Sequence, residues 1–351
     1  MSAINQLLKR VVAPHIWDIK PYQSARDEFK GEASIYLDAN ESPFPALWNR
    51  YPDPYQRQLK SALSIYKKVG ENEMLITNGS DEGIDLLLRL FCVPAKDAII
   101  ICPPTYGMYA VSASIQNIET IEVPLTPDFQ LDLSSVKASI TRKTKLIFLC
   151  SPNNPTGNLL NIDDVKDLIE SFKGIVVIDE AYIEFSNQQS LSSWLDKYNN
   201  LIVLHTLSKA WGLAGARIGI CMAHPEIIAL LNAIKPPYNL SGPAQEVALK
   251  KILASEEFEL QTQDIIEQRV VLAKTLNEID SIQKVFPSKA NFLLVKVNDP
   301  DELYNYLTSQ GIIIRNRSKQ PGCEGCVRVT VGTTEENQQL IDEIIKYYEP
   351  K

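Results

Sequence analysis

The chain has few of the side chains that metal and thiol chemistry require. Its 351 residues include three histidines, His15, His205 and His224, and their spacing matches no metal-ligand pattern. Six cysteines are scattered; Cys323 and Cys326 form a lone CxxC with no second pair or histidine cluster beside it. That reads as a loop before a strand, not as a metal or redox centre. Basic residues are in deficit, 35 Lys and Arg against 43 Asp and Glu, for a formal charge of -8. A general nucleic-acid binder needs a basic face, so that class is excluded, and any anionic ligand must be held by local arginines and backbone dipoles. No apolar run approaches membrane-spanning length, and the opening MSAINQ lacks the apolar core of a signal peptide. Internal repeats and low-complexity tracts are missing, and no GxGxxG or P-loop follows the first strand-like run. The remaining composition, 45% hydrophobic and 22% charged, is globular. The expectation is a reduced, soluble, cytoplasmic protein with one large domain and a smaller one.

What the chain does have is concentrated in residues 205–219, HTLSKAWGLAGARIG, which follow the short apolar run 201–204. Two hydroxyls (Thr206, Ser208), a lysine (Lys209), three glycines (Gly212, Gly215, Gly219) and an arginine (Arg217) share this stretch. Hydroxyls, free backbone N–H groups and a guanidinium can bind a phosphate while the amine condenses with a carbonyl. Pyridoxal 5'-phosphate asks for this pair of functions. Read alone, the stretch fits a surface lysine among ordinary turn glycines equally well.

The surrounding chain supplies the context. Residues 11–26 form an irregular, proline-containing arm, and 38–43 and 50–54 are polar or proline-rich loops, where ligands are commonly met. Residues 56–68 have helical spacing. NGSDE at 78–82 opens a helix running to 91, and such a start offers unpaired N–H groups to an anion or serves as a plain cap. Strand-like runs at 74–77, 98–102, 120–123, 145–149, 174–178 and 201–204 alternate with helix candidates at 107–114 and 163–172, and 217–222 adds one more strand. This predicts an α/β fold with a mainly parallel seven-stranded sheet and a ligand site at the carboxyl ends of its strands. Tyr106, Asn154, Asp179, Tyr182 and Lys209 all fall just beyond such runs. After a long helical region from 243 to 280, residues 291–348 read strand, helix, strand, strand, helix, with a capping box at Thr333 and Glu336. The predicted organisation is an N-terminal arm at 1–44 packing with the smaller domain, a large domain at 45–284 and a smaller α/β domain at 285–351.

LDANESP, NGSDE, PPTYGMY, SPNNPTG, VIDEAY, TLSKAWGLAGARIG and CVRVTVG follow one another over nearly the whole chain. Their order and spacing resemble those of the fold type I pyridoxal-phosphate enzymes, the aspartate-aminotransferase fold. KPYQSAR, NRYP and IIIRNRSKQPGC narrow the resemblance to the histidinol-phosphate aminotransferases. Carried over by position, the resemblance implies that Lys209 holds the cofactor and moves the proton in catalysis. Asp179 partners the pyridine nitrogen, Tyr182 and Asn154 bond the cofactor's phenolic oxygen, and Tyr106 stacks on its ring. Ser80, Asp81, Thr206, Ser208 and Arg217 form the phosphate cup. Tyr51 is implied to reach the phosphate in the other subunit's site, hence a homodimer. Tyr22, Asn40, Arg315 and Arg328 are implied to contact substrate, with L-histidinol phosphate and 2-oxoglutarate as the amino donor and acceptor. Aromatic amino acid transamination and decarboxylation of threonine phosphate are the nearest alternatives on this fold; a cofactor-binding regulator would carry an appended basic DNA-binding segment, which this sequence lacks. Departures from the family pattern are Ser42, where asparagine is common, and Trp211, where phenylalanine or tyrosine is common; neither carries a chemical role.

Overall fold

The computed structural model describes residues 2–20, 31 and 33–349, so Tyr22 lies outside the described residues. Helix α1 (Ala3–Val11) starts at Ser2, whose hydroxyl accepts a hydrogen bond from the Asn5 N–H at 3.4 Å. Ile4, Leu7, Leu8 and Val11 lie on one helical face and are buried. They pack among Ile84, Leu87, Phe91 and Ile228, on one face of the large sheet, and the Ala13 N–H donates to the Leu90 carbonyl at 2.9 Å. Residues 4–16, the start of the arm expected to pack with the smaller domain, pack instead on the large sheet's helical layer. The start of the arm is amphipathic, and the large sheet's helical layer is the apolar surface that covers it.

Helix α2 (Arg57–Lys67) precedes β1 (Met74–Asn78), which turns directly into α3 (Gly79–Phe91). Then come β2 (Ala98–Ile101), α4 (Met108–Ile115), β3 (Glu119–Glu122), α5 (Leu133–Ser139), β4 (Thr144–Cys150), α6 (Ile162–Ser171), β5 (Ile175–Asp179), β6 (Leu201–Thr206) and β7 (Ile218–Ala223). The seven strands form one sheet in the order β1-β7-β6-β5-β4-β2-β3. Every pairing is parallel except those of β7, which runs antiparallel to both β1 and β6. The reason is local: a parallel neighbour needs a crossover of a dozen or more residues, usually a helix. The link from β6 to β7 is a compact turn holding Lys209. Strands β2, β5, β6 and β7 are buried along their length, as a sheet covered on both faces requires.

Beyond α7 (Pro225–Ile234), α8 (Gly242–Leu253) and α9 (Ser255–Asn277) lies a second, antiparallel sheet of β8 (Lys284–Val285), β9 (Phe292–Lys296), β10 (Arg315–Asn316) and β11 (Cys326–Thr330), in the order β10-β11-β9-β8. Its period of two sorts the side chains. Leu293, Val295, Val327 and Val329 share a core with Leu303 and Leu307 of α10 (Pro300–Ser309) and Leu340 and Ile344 of α11 (Thr334–Tyr348). Phe292, Leu294 and Arg328 alternate with them and take the face toward the large sheet. Leu272 and Leu276 of α9 belong to this second core, so it begins within α9, ahead of residue 285. The first of the two strands expected between α10 and α11 is only Arg315–Asn316, the residues that find a partner on β11.

Candidate active site

The carboxyl ends of β1, β4, β5 and β6 and the pocket-facing side of β11 enclose a cavity of about 200 Å³. Ser80, Asp81, Tyr106, Cys150, Asn154, Asp179, Tyr182, Thr206, Ser208, Lys209, Arg217 and Arg328 line it, with Ala181 and Arg317. Eleven of the thirteen polar positions are residues singled out above from the sequence; Cys150 and Arg317 are the additions.

At one end, α3 opens without a cap. The side chain of Asn78 bonds no N–H of the first turn and instead donates to the Asn239 carbonyl at 3.2 Å. Ser80 and Asp81 of its first turn line the cavity, which therefore lies at the positive end of the helix dipole. Two glycines allow the approach. Gly79 has φ 71°, and a Cβ there would collide with Arg217; a Cβ on Gly219 would collide with the backbone of Gly79. The Arg217 guanidinium reaches Asp81 at 3.4 Å, and its backbone oxygen accepts from Gly79 N–H at 2.8 Å. The Thr206 hydroxyl bonds the Ser208 hydroxyl at 3.0 Å and the Ile218 carbonyl at 3.0 Å. Hydroxyls, helix N–H groups and a guanidinium thus meet in one cup.

At the other end sits Asp179, the last residue of β5, only 2% exposed. Its carboxylate accepts from the Tyr109 hydroxyl at 2.7 Å and the Ala181 N–H at 3.1 Å. Burial raises its pKa more than those two bonds lower it. Between cup and carboxylate lies Lys209, its Nζ 5.7 Å from the centre of the Tyr182 ring. Burial lowers the amine's pKa, and the positive charge of Arg328 lowers it further. A relay then runs across the cavity floor: Arg328 Nη1 donates to Asn154 Oδ1 at 2.6 Å, and Asn154 Nδ2 donates to the Tyr182 hydroxyl at 3.2 Å. Tyr106 forms a side wall, its hydroxyl on Asp81 at 3.0 Å and its ring edge-on to Tyr109.

Not every expected residue is there. Asn40 is exposed, with φ 54°, and is not among the lining residues. Arg315 pairs across from Arg328 in the strand register but is exposed, and Arg317, two residues on, lines the cavity in its place. Tyr51 stacks on Tyr238 with ring centres 4.5 Å apart, is 50% exposed and is not among the residues that line this chain's cavity. Tyr109 and Arg317 were missed. Tyr109 is three residues past Tyr106, in the first turn of the helix that follows it, and Arg317 shares Arg315's alternation; those spacings were the available signals. Two of the three histidines have structural partners: His205 bonds Glu180 at 2.8 Å and His224 caps α7. Among the described residues no three His, Cys, Asp or Glu side chains are placed to hold a metal.

Comparison with known proteins identifies the family of the chain. The family model for aminotransferase class I and II matches residues 45–344. A histidinol-phosphate aminotransferase of Cytophaga hutchinsonii is 47% identical over 97% of this chain and 99% of its own length. Two solved structures share the fold at 24% identity and TM-score 0.78. The histidinol-phosphate aminotransferase of Clostridium acetobutylicum matches over 85% of this chain and 90% of that one. That of Sinorhizobium meliloti, solved with pyridoxal-5'-phosphate, matches over 88% and 89%.

Proposed function

This chain belongs to the class I and II aminotransferases, among the histidinol-phosphate aminotransferases, and from that premise we propose that it moves an amino group between L-histidinol phosphate and 2-oxoglutarate with pyridoxal 5'-phosphate as cofactor. One observation carries the reading: a buried carboxylate, a deprotonation-prone lysine and an uncapped helix start line one cavity. An isolated buried carboxylate is costly unless a cation faces it, and a protonated pyridine nitrogen is such a cation. A phosphate fits the α3 N-terminus, Thr206, Ser208 and Arg217. The cofactor, when bound, supplies an electron sink conjugated to the substrate's amino-bearing carbon.

The chain's own residues do the rest. Asp179 keeps the ring nitrogen protonated, with Tyr109 and the Ala181 N–H fixing its orientation. Asn154 and Tyr182 present hydrogen bonds to the ring's phenolic oxygen, and Tyr106 covers one ring face. The Lys209 amine is the general base: burial leaves it free of its proton more readily than a surface lysine, so it can take the proton from the substrate carbon that bears the amine. Arg328 holds the substrate's anionic group. Asn40 and the loop carrying Arg315 are proposed to complete the substrate site at its mouth.

The proposal includes a homodimer and a cytoplasmic location. A cluster of exposed apolar side chains between residues 35 and 55 supports the first, and six free, buried cysteines are consistent with the second. Among the described residues no helix is long and apolar enough to cross a membrane.

The test has two parts. Borohydride should fix the cofactor on Lys209, and peptide mapping that located it on another lysine would overturn the site. Half-reactions with histidinol phosphate, glutamate, phenylalanine and threonine phosphate should rank histidinol phosphate first among donors; a preference for phenylalanine, or carbon dioxide release from threonine phosphate, would overturn the substrate.

A further inference from the structure

A second cavity, of about 690 Å³, lies at the opposite end of the large sheet from the catalytic one. Strands β4 and β5 run between the two. Thr144 and Gly174, at their start, line this cavity, and Cys150 and Asp179, at their end, line the catalytic one. At about 3.3 Å per residue of strand, that separates them by roughly 20 Å. Four cations line the second cavity: Arg10, Arg142, Lys145 and Lys173. In a chain of formal charge -8, such a local excess of positive charge calls for a cause.

Helix ends account for part of it. Helices α1, α5 and α6 stop at Val11, Ser139 and Ser171, within or next to the lining, and a helix C-terminus carries about half a negative charge. Arg10 Nε donates to the Lys173 carbonyl at 3.0 Å. Lys145 Nζ donates to the Arg10 carbonyl at 3.3 Å and lies 3.9 Å from Asp97. These bonds brace α1 against the starts of β4 and β5, so the rim of the cavity is held in place. Arg142 and Lys173 are not used in this way. Both are exposed, and among the described residues neither side chain has a hydrogen bond or an ion pair. Their charges exceed what the helix ends and Asp97 call for. Val11, Ile140 and Phe172 add apolar wall to the same cavity. A Cβ on Gly174 would collide with the Phe172 ring and the Lys145 carbonyl, so glycine is what lets that ring lie against the start of the strand.

We propose that this cavity is a second binding site, for a small molecule that carries a phosphate on an apolar body. A phosphate monoester bears about -1.5 to -2 at neutral pH and three acceptor oxygens. The Arg142 fork can pair with two of those oxygens while the Lys173 ammonium meets the third as a point charge. The apolar body has Val11, Ile140 and Phe172 to lie against, and the volume is that of an ordinary small-molecule pocket. A long polyanion is a poor fit, because the acidic remainder of the chain repels whatever extends beyond the four cations. The site needs neither the cofactor nor its chemistry.

The probe is 1-naphthyl phosphate, titrated into holoenzyme by calorimetry, with inorganic phosphate and 1-naphthol as its two halves. The ester should bind at one site per chain, more tightly than either half alone. Exposed ion pairs are each worth up to about 1 kcal/mol, so removing two cations should weaken the ester roughly ten-fold. The double variant Arg142→Ser, Lys173→Ser removes them, and each single variant should show part of the loss. Lys250→Ser, Lys274→Ser takes the same charge from exposed helix positions outside the cavity and should leave the affinity nearly unchanged. So should Arg328→Gln, which alters the catalytic cavity. No binding in the millimolar range, or equal losses in the two double variants, overturns the proposal. A loss in Arg328→Gln without one in the Arg142, Lys173 variant also overturns it, by placing the probe in the catalytic cavity.

Discussion

Lys209 and Asp179 are held against their preferred charge states by one cause. Burial lowers the amine's pKa and raises the carboxyl's, so each waits for a partner the folded chain does not supply. For the lysine the sign of the stability effect follows directly. Its folded-state value lies below the ordinary 10.5, so within that window the unfolded chain binds more protons than the folded one. Stability therefore rises with pH across the window, and the destabilisation is largest on its acid side. Lys209→Met keeps the side chain's length and removes the charge. In cofactor-free protein it should raise the melting temperature at pH 7, with the advantage shrinking as pH approaches 10.5. A gap that stays constant across that range would assign the effect to packing and not to charge. Residues of this kind were legible in the sequence because each lies where an apolar run stops. Tyr109 was not: it sits within the largely apolar helix α4 and reads as core, and only the fold brings its hydroxyl to Asp179. Arg317 was hidden because two paired residues give too little alternation to tell which of two nearby arginines points inward.

At the scale of elements, the site depends on a close crossing of backbones. Because β7 turns back antiparallel beside β6, Gly219 lies opposite Thr206 on one neighbour and Thr77 on the other. From there its bare Cα touches Gly79, where β1 becomes α3. The glycines of the 205–219 stretch looked like turn punctuation, and one of them proves to set the spacing of the phosphate cup. A methyl group at Gly219 must push the α3 start away. Over-packing of this kind costs about 1–3 kcal/mol, and here the displaced groups are the N–H donors themselves. Gly219→Ala should weaken cofactor binding by roughly ten-fold or more, since 1.4 kcal/mol is a factor of ten, as read by titrating apoprotein. Gly215→Ala, where a new methyl meets nothing within 4 Å, is the control and should bind nearly as wild type. Unchanged affinity in Gly219→Ala would remove the crossing from the explanation. The large sheet itself was legible because most of its strands are short, largely apolar runs with β-branched residues among them. Helix α1 was not, since nothing local says which apolar surface will cover so short an amphipathic segment.

Among the described residues, the stretch between 35 and 55 leaves several large apolar side chains uncovered. Leu37, Phe44 and Leu47 are 88%, 78% and 83% exposed, with Ile35, Trp48, Tyr51 and Tyr55 nearby in the chain. Apolar side chains clustered on one surface segment usually mark an interface. This segment is not loose, for Glu41 accepts from Arg50 at 2.7 Å and from the Tyr51 N–H at 2.6 Å. Gln56 and Lys235 each hold the Pro54 carbonyl, at 2.8 and 3.0 Å, which ties the loop to the chain ahead of α8. Tyr51, stacked on Tyr238, is thus held half-exposed in a set position. In the proposed two-fold dimer, a Tyr51 that reaches the partner's cup has its counterpart reaching back, because the relation between the copies is reciprocal. Two defects in different subunits should then complement. Tyr51→Ala would damage the partner's phosphate contact, and Lys209→Ala would disable the subunit's own chemistry. When the two are mixed, each hybrid dimer contains one site with both defects and one site with neither. Random pairing makes about half of the dimers hybrids, so activity should return to roughly a quarter of wild type, from two nearly inactive parents. Subunit exchange is followed separately with differently tagged chains. If the tags show hybrids and activity does not return, Tyr51 works within its own subunit, and the apolar segment serves assembly alone.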